Sequence, residues 1–443
     1  MSATQESIIE LEPVPASTPP ARTISFTSND EPPPATTAIP DGGYGWIIIL
    51  SLAISAFWHN GMINCWGVLQ TALLDSTLRD IPTSTVSFVG SLGLACVAFG
   101  LFAVRLMRWF GSRITAIIGI TLLGTGLIGS GSSTTNVAGL FGTSGFVSGL
   151  GGTIVYTVCN ALPVQYFSSK LGLANGLVKL GGGIGGTVMA VALDALVRRV
   201  GIEWTFRIQG IMTIATGIPA VLLLKDRAPI RKAPFIELSM FRSLPFTAVF
   251  IAGAIGTFSL FVPPYFLPLF AHSLGLSSST GAGLVAGFNL CNAVGRFLAG
   301  PLCDRIGPVN TFFLTMILNA VSMLAIWPVS NSLGPLVVFA MINGIANGSF
   351  FTTLPTVVAG MFGPARAAIA MTMAVTGWTG GYLMGAPIAG YLLEAGGGKQ
   401  EGGQQRTNVY RPAIFYAGGT AFLSSLFVLV ARIKMGKDIR KRV

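Results

Sequence analysis

Two basic side chains stand inside long apolar stretches of this sequence, Lys179 and Arg296, and chemistry would start from them. A cation held in hydrocarbon is costly and usually marks function. Each falls roughly 6–8 Å from the middle of its segment at 1.5 Å per residue. Arg296 ends a polar face, because Asn289, Asn292 and Arg296 are spaced i, i+3, i+7 and share one side of a helix. A guanidinium there could hold a carboxylate through a bidentate fork. The competing reading has it snorkel outward and pair with Asp304, two turns on. Lys179 lies beside Gly181, Gly182 and Gly183. It is either an anion site facing a cavity or a side chain leaning toward the headgroups.

Uncharged polar groups recur at one-turn spacing nearby. Asn60 and Asn64 follow His59, which could carry a proton or simply hydrogen-bond in the packing. Tyr156 and Asn160, Asn343 and Asn347, and Trp378 and Tyr382 are each four residues apart. Such groups could line an apolar cavity with a few oriented polar atoms, as small-molecule sites do. They could equally bond helix to helix. Pro263 and Pro264 interrupt another apolar stretch and make a hinge or a static kink. No Asp or Glu falls near the middle of an apolar segment; Asp194 and Glu394 sit at segment ends. The five cysteines have unrelated spacings, and His59 and His272 lie far apart. No catalytic group, metal set or cofactor motif is expected.

The elements that must position these residues are membrane helices. Of 443 residues 51% are hydrophobic and 10% charged, and the mean hydropathy is +0.70. Soluble domains carry about 25% charged residues, so lipid is the main solvent. Apolar segments long enough to cross the hydrocarbon run near 46–70, 84–106, 114–131, 137–160, 172–195, 206–224, 246–270, 279–303, 310–330, 335–360, 367–393 and 412–432. That predicts an all-α membrane protein of twelve spans. Residues 1–40, rich in Pro, Thr, Ser and Glu, read as a disordered tail. The basic stretch 225–245 reads as a linker between halves 41–224 and 246–432, and 433–443 as a basic C-terminal tail.

Lys and Arg set the orientation. With both termini in the cytosol, eighteen of them fall on the cytosolic side and seven opposite. The net charge of +11 is therefore a membrane signature, with no nucleic acid implied. A shift of 196 residues carries Gly111 onto Gly307, Lys170 onto Arg366, Ala174 onto Ala370, Gly181 onto Gly377 and Gly185 onto Gly381. One shift acting at equivalent spans implies two six-helix halves in parallel orientation, with a site between them near the midplane.

Gly300, Asp304, Arg305 and Gly307, after the eighth span, resemble the short-loop signature of the major facilitator superfamily. The first-half counterpart, Gly111 to Arg113 after Arg108, is degenerate. The stretch Pro40 to Trp46 (PDGGYGW) resembles the entry motif of the monocarboxylate porter family within it. Tyr166 to Gly176 resembles that family's start of span five. The resemblance runs from Asp41 to the end and is similar to fungal members. It implies a secondary carrier with a cavity between spans 1, 4, 5, 7, 8, 10 and 11, latched on the cytosolic side by Asp304 and Arg305. In the animal lactate carriers of that family a span-one lysine and a span-eight Asp/Arg pair bind anion and proton. Arg296 matches the arginine, whereas Asn64 and Asn292 stand where the lysine and the aspartate would be. The departures weaken lactate–proton symport.

The expected function is transport of a small organic acid or secondary metabolite by alternating access, with efflux one direction of flux. Proton-coupled monocarboxylate uptake and a non-transporting sensor of the same fold are the alternatives. The plasma membrane is the expected location.

Overall fold

A computed structural model of the chain describes residues 42–167, 170–227, 238–397 and 407–436. The expected N-terminal tail 1–40, Pro40 and Asp41 of the entry motif, most of the linker and the C-terminal tail beyond Gly436 lie outside the described residues. So do Arg22, Arg231, Lys232, Lys399 and Arg406 of the orientation count.

Nine helical runs among the described residues are long and apolar enough to cross a membrane. The runs Thr83–Ser130 and Leu173–Leu222 have 48 and 50 residues, more than twice what a hydrocarbon core of about 30 Å requires. Each is broken at a single glycine, Gly111 and Gly201. Beyond those breaks the chain doubles back. Gly131 packs on Glu203 and Arg207, Gly124 on Gly210 and Ile214, and Gly217 on Ile120, so residues 112–131 and 203–222 lie antiparallel. The helix Leu333–Ala395 has 63 residues, also too long for one crossing. The segments keep their ordinals from the sequence, and their helical bounds match the apolar limits closely: the eighth is Ser278–Ile306 and the twelfth Arg411–Met435.

Two spans are split. The first consists of Gly45–Asn64 and Trp66–Asp75, joined at Cys65, and so runs five residues further than its apolar limit. The seventh consists of Leu244–Leu260 and Val262–Ser273, joined at Phe261. Proline explains the second break. Pro264 has no N–H to offer the carbonyl of Leu260, which is left without its helical partner.

The 196-residue shift is a structural repeat. Gly111 and Gly307 have φ of 78° and 93°, and Gly201 and Gly397 have 79° and 98°, a region that side chains with a Cβ rarely enter. Both pairs obey the same shift. The packing glycines do too. A Cβ on Gly181 would stand 2.4 Å from the Ala53 carbonyl and one on Gly185 2.2 Å from that of Phe57. Their counterparts Gly377 and Gly381 press on Phe250, Ala254 and Thr257. The fifth span thus meets the first as the eleventh meets the seventh. Without a hydrophobic drive between helices in lipid, such close backbone approach is what holds them.

Spans eight and ten are joined in the same way: a Cβ on Gly348 would lie 1.9 Å from the Asn292 carbonyl and one on Gly295 2.1 Å from that of Ile345.

Gly185→Ala should therefore push spans one and five apart and cost about 1–3 kcal/mol. A melting curve in lipid nanodiscs would show it as a lower Tm. Gly287→Ala, which meets nothing within 4 Å, should leave the Tm in place.

Candidate functional site

The two halves touch most closely at the end of the bundle away from Gly45 and Met435, here the distal end. There Gly67 lies against the carbonyl of Pro264, and the Ser84 amide donates to Glu394 Oε1 at 2.8 Å. Ser278 donates to Asp194 and Arg198 to Ser279, while Arg198 and Asp194 pair at 3.0 Å. Moving inward, Asn289 Nδ2 donates to the Gly186 carbonyl at 3.1 Å, and Gly183 abuts Ala293. These two contacts form a floor between the halves.

On the other side of that floor stand the two intramembrane cations. Lys179 Nζ donates to Asn160 Oδ1 at 2.8 Å and lies 4.9 Å from the centre of the Tyr156 ring. Asn160, at the terminal-side end of the fourth span, is exposed and Lys179 is half-exposed. Lys179 is thus turned toward the fourth span. The His59 ring lies tilted against Tyr156 at 5.9 Å, within electrostatic range of Lys179, and rests on Gly152.

Arg296, from the other half, turns back toward the middle of the bundle. Its Nε donates to Asn292 Oδ1 at 2.9 Å, and its guanidinium sits 4.9 Å over the Phe351 ring, a cation–π contact. That direction is away from Asp304, so the snorkelling alternative does not describe this state. The phenols of Tyr156 and Tyr382 lie within electrostatic range of Arg296, and they come from opposite halves. Tyr382 also packs on Phe261 at 5.4 Å and on Trp378 at 6.0 Å, which makes an aromatic wall. Among the described residues the buried indole N–H of Trp378 has no hydrogen-bond partner.

Thus His59, Tyr156, Asn160, Lys179, Asn292, Arg296, Trp378 and Tyr382 converge on one space. Asn60 and Asn64 are half-buried. Asn60 bonds one turn back, to the Ala56 carbonyl at 3.1 Å, and presses on Gly182. Asn289 belongs to the floor. Asn343 is fully buried and donates to Asn319 and Ser322 at 2.7 and 2.9 Å, inside the second half. Asn347, one turn along, donates to the Leu260 carbonyl at 2.6 Å and accepts from Asn292 at 2.9 Å. Pro263 and Pro264 begin the second helix of span seven. Gly300 is half-buried, Asp304 and Arg305 are exposed at the terminal end, and Gly307 makes the turn.

Sequence reading missed the pairing of Arg296 with the Phe351 ring and the distal contacts. Phe351 was legible as the residue four beyond Asn347. Glu394 and Asp194, the acids at span ends, were legible as latch candidates. The first-half loop is held differently from the expected motif: Asp226 accepts from the Ser112 amide at 2.6 Å, and Arg113 donates to the Leu224 carbonyl at 2.7 Å.

A family profile described as Major Facilitator Superfamily matches residues 46–288 and 249–441. The chain belongs to that superfamily. Like other members of this family it is a multi-pass membrane transporter, not an enzyme, and it carries a small-molecule solute. It is 28% identical over 418 residues to an MFS-type transporter of Ophiocordyceps, across 92% of this chain and 90% of that one. An agnestins efflux protein of Paecilomyces divaricatus is 27% identical, with 93% and 92% covered. An aspyridones efflux protein of Emericella nidulans is 24% identical, with 94% and 86% covered. In fold it is similar to a nucleoside transporter, with a TM-score of 0.72 at 14% identity over 87% of this chain and 99% of that one. A bacterial homologue of the lysosomal transporter Spinster gives 0.66, also at 14%, over 88% and 98%.

The buried and the exposed amides of this transporter should separate in a stability measurement. Asn343→Ala strands Asn319 and Ser322 without their donor and should cost about 1–3 kcal/mol, seen as a lower Tm. Asn160→Ala, at an exposed position, should leave the Tm nearly unchanged.

Proposed function

We propose that this transporter exports an anionic secondary metabolite, and that the solute's acid group binds between Lys179 and Arg296. The supporting observation is that these two cations come from opposite halves and share Tyr156 as a neighbour, and that their described partners are neutral. Lys179 has an amide and a phenol ring, and Arg296 an amide and a phenyl ring. Each cation keeps its charge available for an anion. A carboxylate, enolate or comparable acid on an otherwise apolar molecule would suit a wall of Phe261, Phe351, Trp378 and Tyr382 beside them. His59, Asn60, Asn64, Asn289, Asn292, Asn343 and Asn347 complete the proposed site or its supports.

Export is the favoured direction because relatives covering most of the chain are efflux proteins of named metabolites. The entry motif and Arg296 suit a place beside the monocarboxylate porters. Under this reading the termini are cytosolic, the plasma membrane is the site of action, and the halves 41–224 and 246–432 rock about a hollow. The hollow then stands open to the cytosol and closed outside by Ser84, Glu394, Asp194 and Ser278, with Asp304 and Arg305 poised to latch when it reverses. Neither a metal nor a cofactor is required, and gradients supply the drive.

Untargeted metabolite profiles of cells and medium, with and without the protein, should show an acidic compound that moves from medium to cells when the protein is lost. No difference on either side would reject export. Arg296→Ala should keep the protein in the membrane yet lower affinity for that compound roughly 10- to 100-fold, the worth of a charge-assisted hydrogen bond. Unchanged flux would remove Arg296 from the site.

A further inference from the structure

Four groups form one directional hydrogen-bond chain that crosses three spans. Pro264 deprives the Leu260 carbonyl of its helical donor, and Asn347 Nδ2 supplies one at 2.6 Å. Asn347 Oδ1 accepts from Asn292 Nδ2 at 2.9 Å, and Asn292 Oδ1 accepts from Arg296 Nε at 2.9 Å. The two ends fix the two amides. A carbonyl can only accept, so the nitrogen of Asn347 faces Leu260; a guanidinium can only donate, so the oxygen of Asn292 faces Arg296. The middle bond then comes out with donor facing acceptor, without any choice left. Both asparagines are buried, where an unmade bond is costly.

We infer that Asn292 and Asn347 are positioning residues that tie the Arg296 guanidinium to the break in span seven, and that this tie works without a proton. The geometry demands a group at position 292 that donates and accepts at once. An amide does so at every pH. A carboxylate can only accept, and regains the donor only when protonated. A solute that draws the guanidinium out of its place pulls on Asn292, then Asn347, then the carbonyl at the hinge, so occupancy is felt at the point where span seven can bend. Thr352, whose hydroxyl donates to the Arg296 carbonyl at 3.1 Å, holds the backbone while the side chain moves.

The inference rests on Arg296 as the solute's anchor, but its test uses no solute, so it can fail while that reading stands. Spin labels at Val164→Cys and Ile306→Cys, both exposed at the terminal end, report the width of the opening in lipid nanodiscs, with Cys291→Ser as background. The charged or titratable groups around position 292 are Arg296 and Cys291 on its own span, Lys179, Tyr156 and Tyr382 across the hollow, and His59 and Cys65 on span one. Histidine is the one that titrates between about pH 5 and about pH 8. Every variant keeps His59, so variants are compared with the parent at the same pH.

At pH near 8, Asn292→Asp should shift and broaden the distance distribution as Asn347→Ala does. Asn292→Leu, which can neither donate nor accept, should do the same, because the carboxylate, like leucine, lacks the donor that the chain requires. Asn292→Asp in the Asn347→Ala background should add no further shift. Distances for Asn292→Asp that follow the parent would overturn the relay. So would a further shift of equal size in the double variant, since the effect would then act through Arg296 alone.

Discussion

Hydrocarbon offers no water to a stray polar group, and that single constraint organises the molecule. Each place where the helical ladder fails, or where a charge enters, has to be answered by another side chain. Pro264 opens the ladder at Leu260 and Asn347 closes it. Arg296 and Lys179 enter as charges and are met by amides and ring faces. Among the described residues those partners are neutral, so the positive charge is left in place; an acid partner would have removed it.

The architecture around those groups is a doubled one, built from glycine. The 196-residue repeat reproduces turns at Gly111 and Gly307 and at Gly201 and Gly397, and close helix contacts at Gly181, Gly185, Gly377 and Gly381. Rigid pairs of spans within each half leave the interface between halves as the place where motion is cheapest. That interface is closed at the distal end by Gly67 against the Pro264 carbonyl and by hydrogen bonds from Ser84 to the half-buried Glu394 and from Ser278 to the buried Asp194.

Much of this was legible in the sequence, and the reasons are physical. Span limits follow from hydropathy because a bilayer sets length, and the repeat follows from glycines whose positive φ tolerates no substitute. Lys179 and Arg296 were visible because isolated charge in an apolar run is rare. The asparagines were not separable in advance. Asn343 and Asn347 are the same residue one turn apart, yet one bonds span nine and the other bridges Asn292 to Leu260. Which face of a helix meets a neighbour and which meets the hollow depends on rotation about its axis, and hydropathy does not determine that. The break at Cys65 carries no proline, so nothing local announced it. The bond from Ser84 to Glu394 spans 310 residues, beyond any local pattern.

A carrier that works by alternating access exposes its binding residues to each face of the membrane in turn. The direct measurement is labelling of Asn160→Cys by a membrane-impermeant charged thiol reagent, applied from one face and then from the other, in membranes of known sidedness. The terminal face should react readily, as the exposure of Asn160 requires. The distal face should react more slowly, and faster once Glu394→Gln weakens the latch on Ser84. Reaction from one face alone, with the latch intact or weakened, would contradict alternating access.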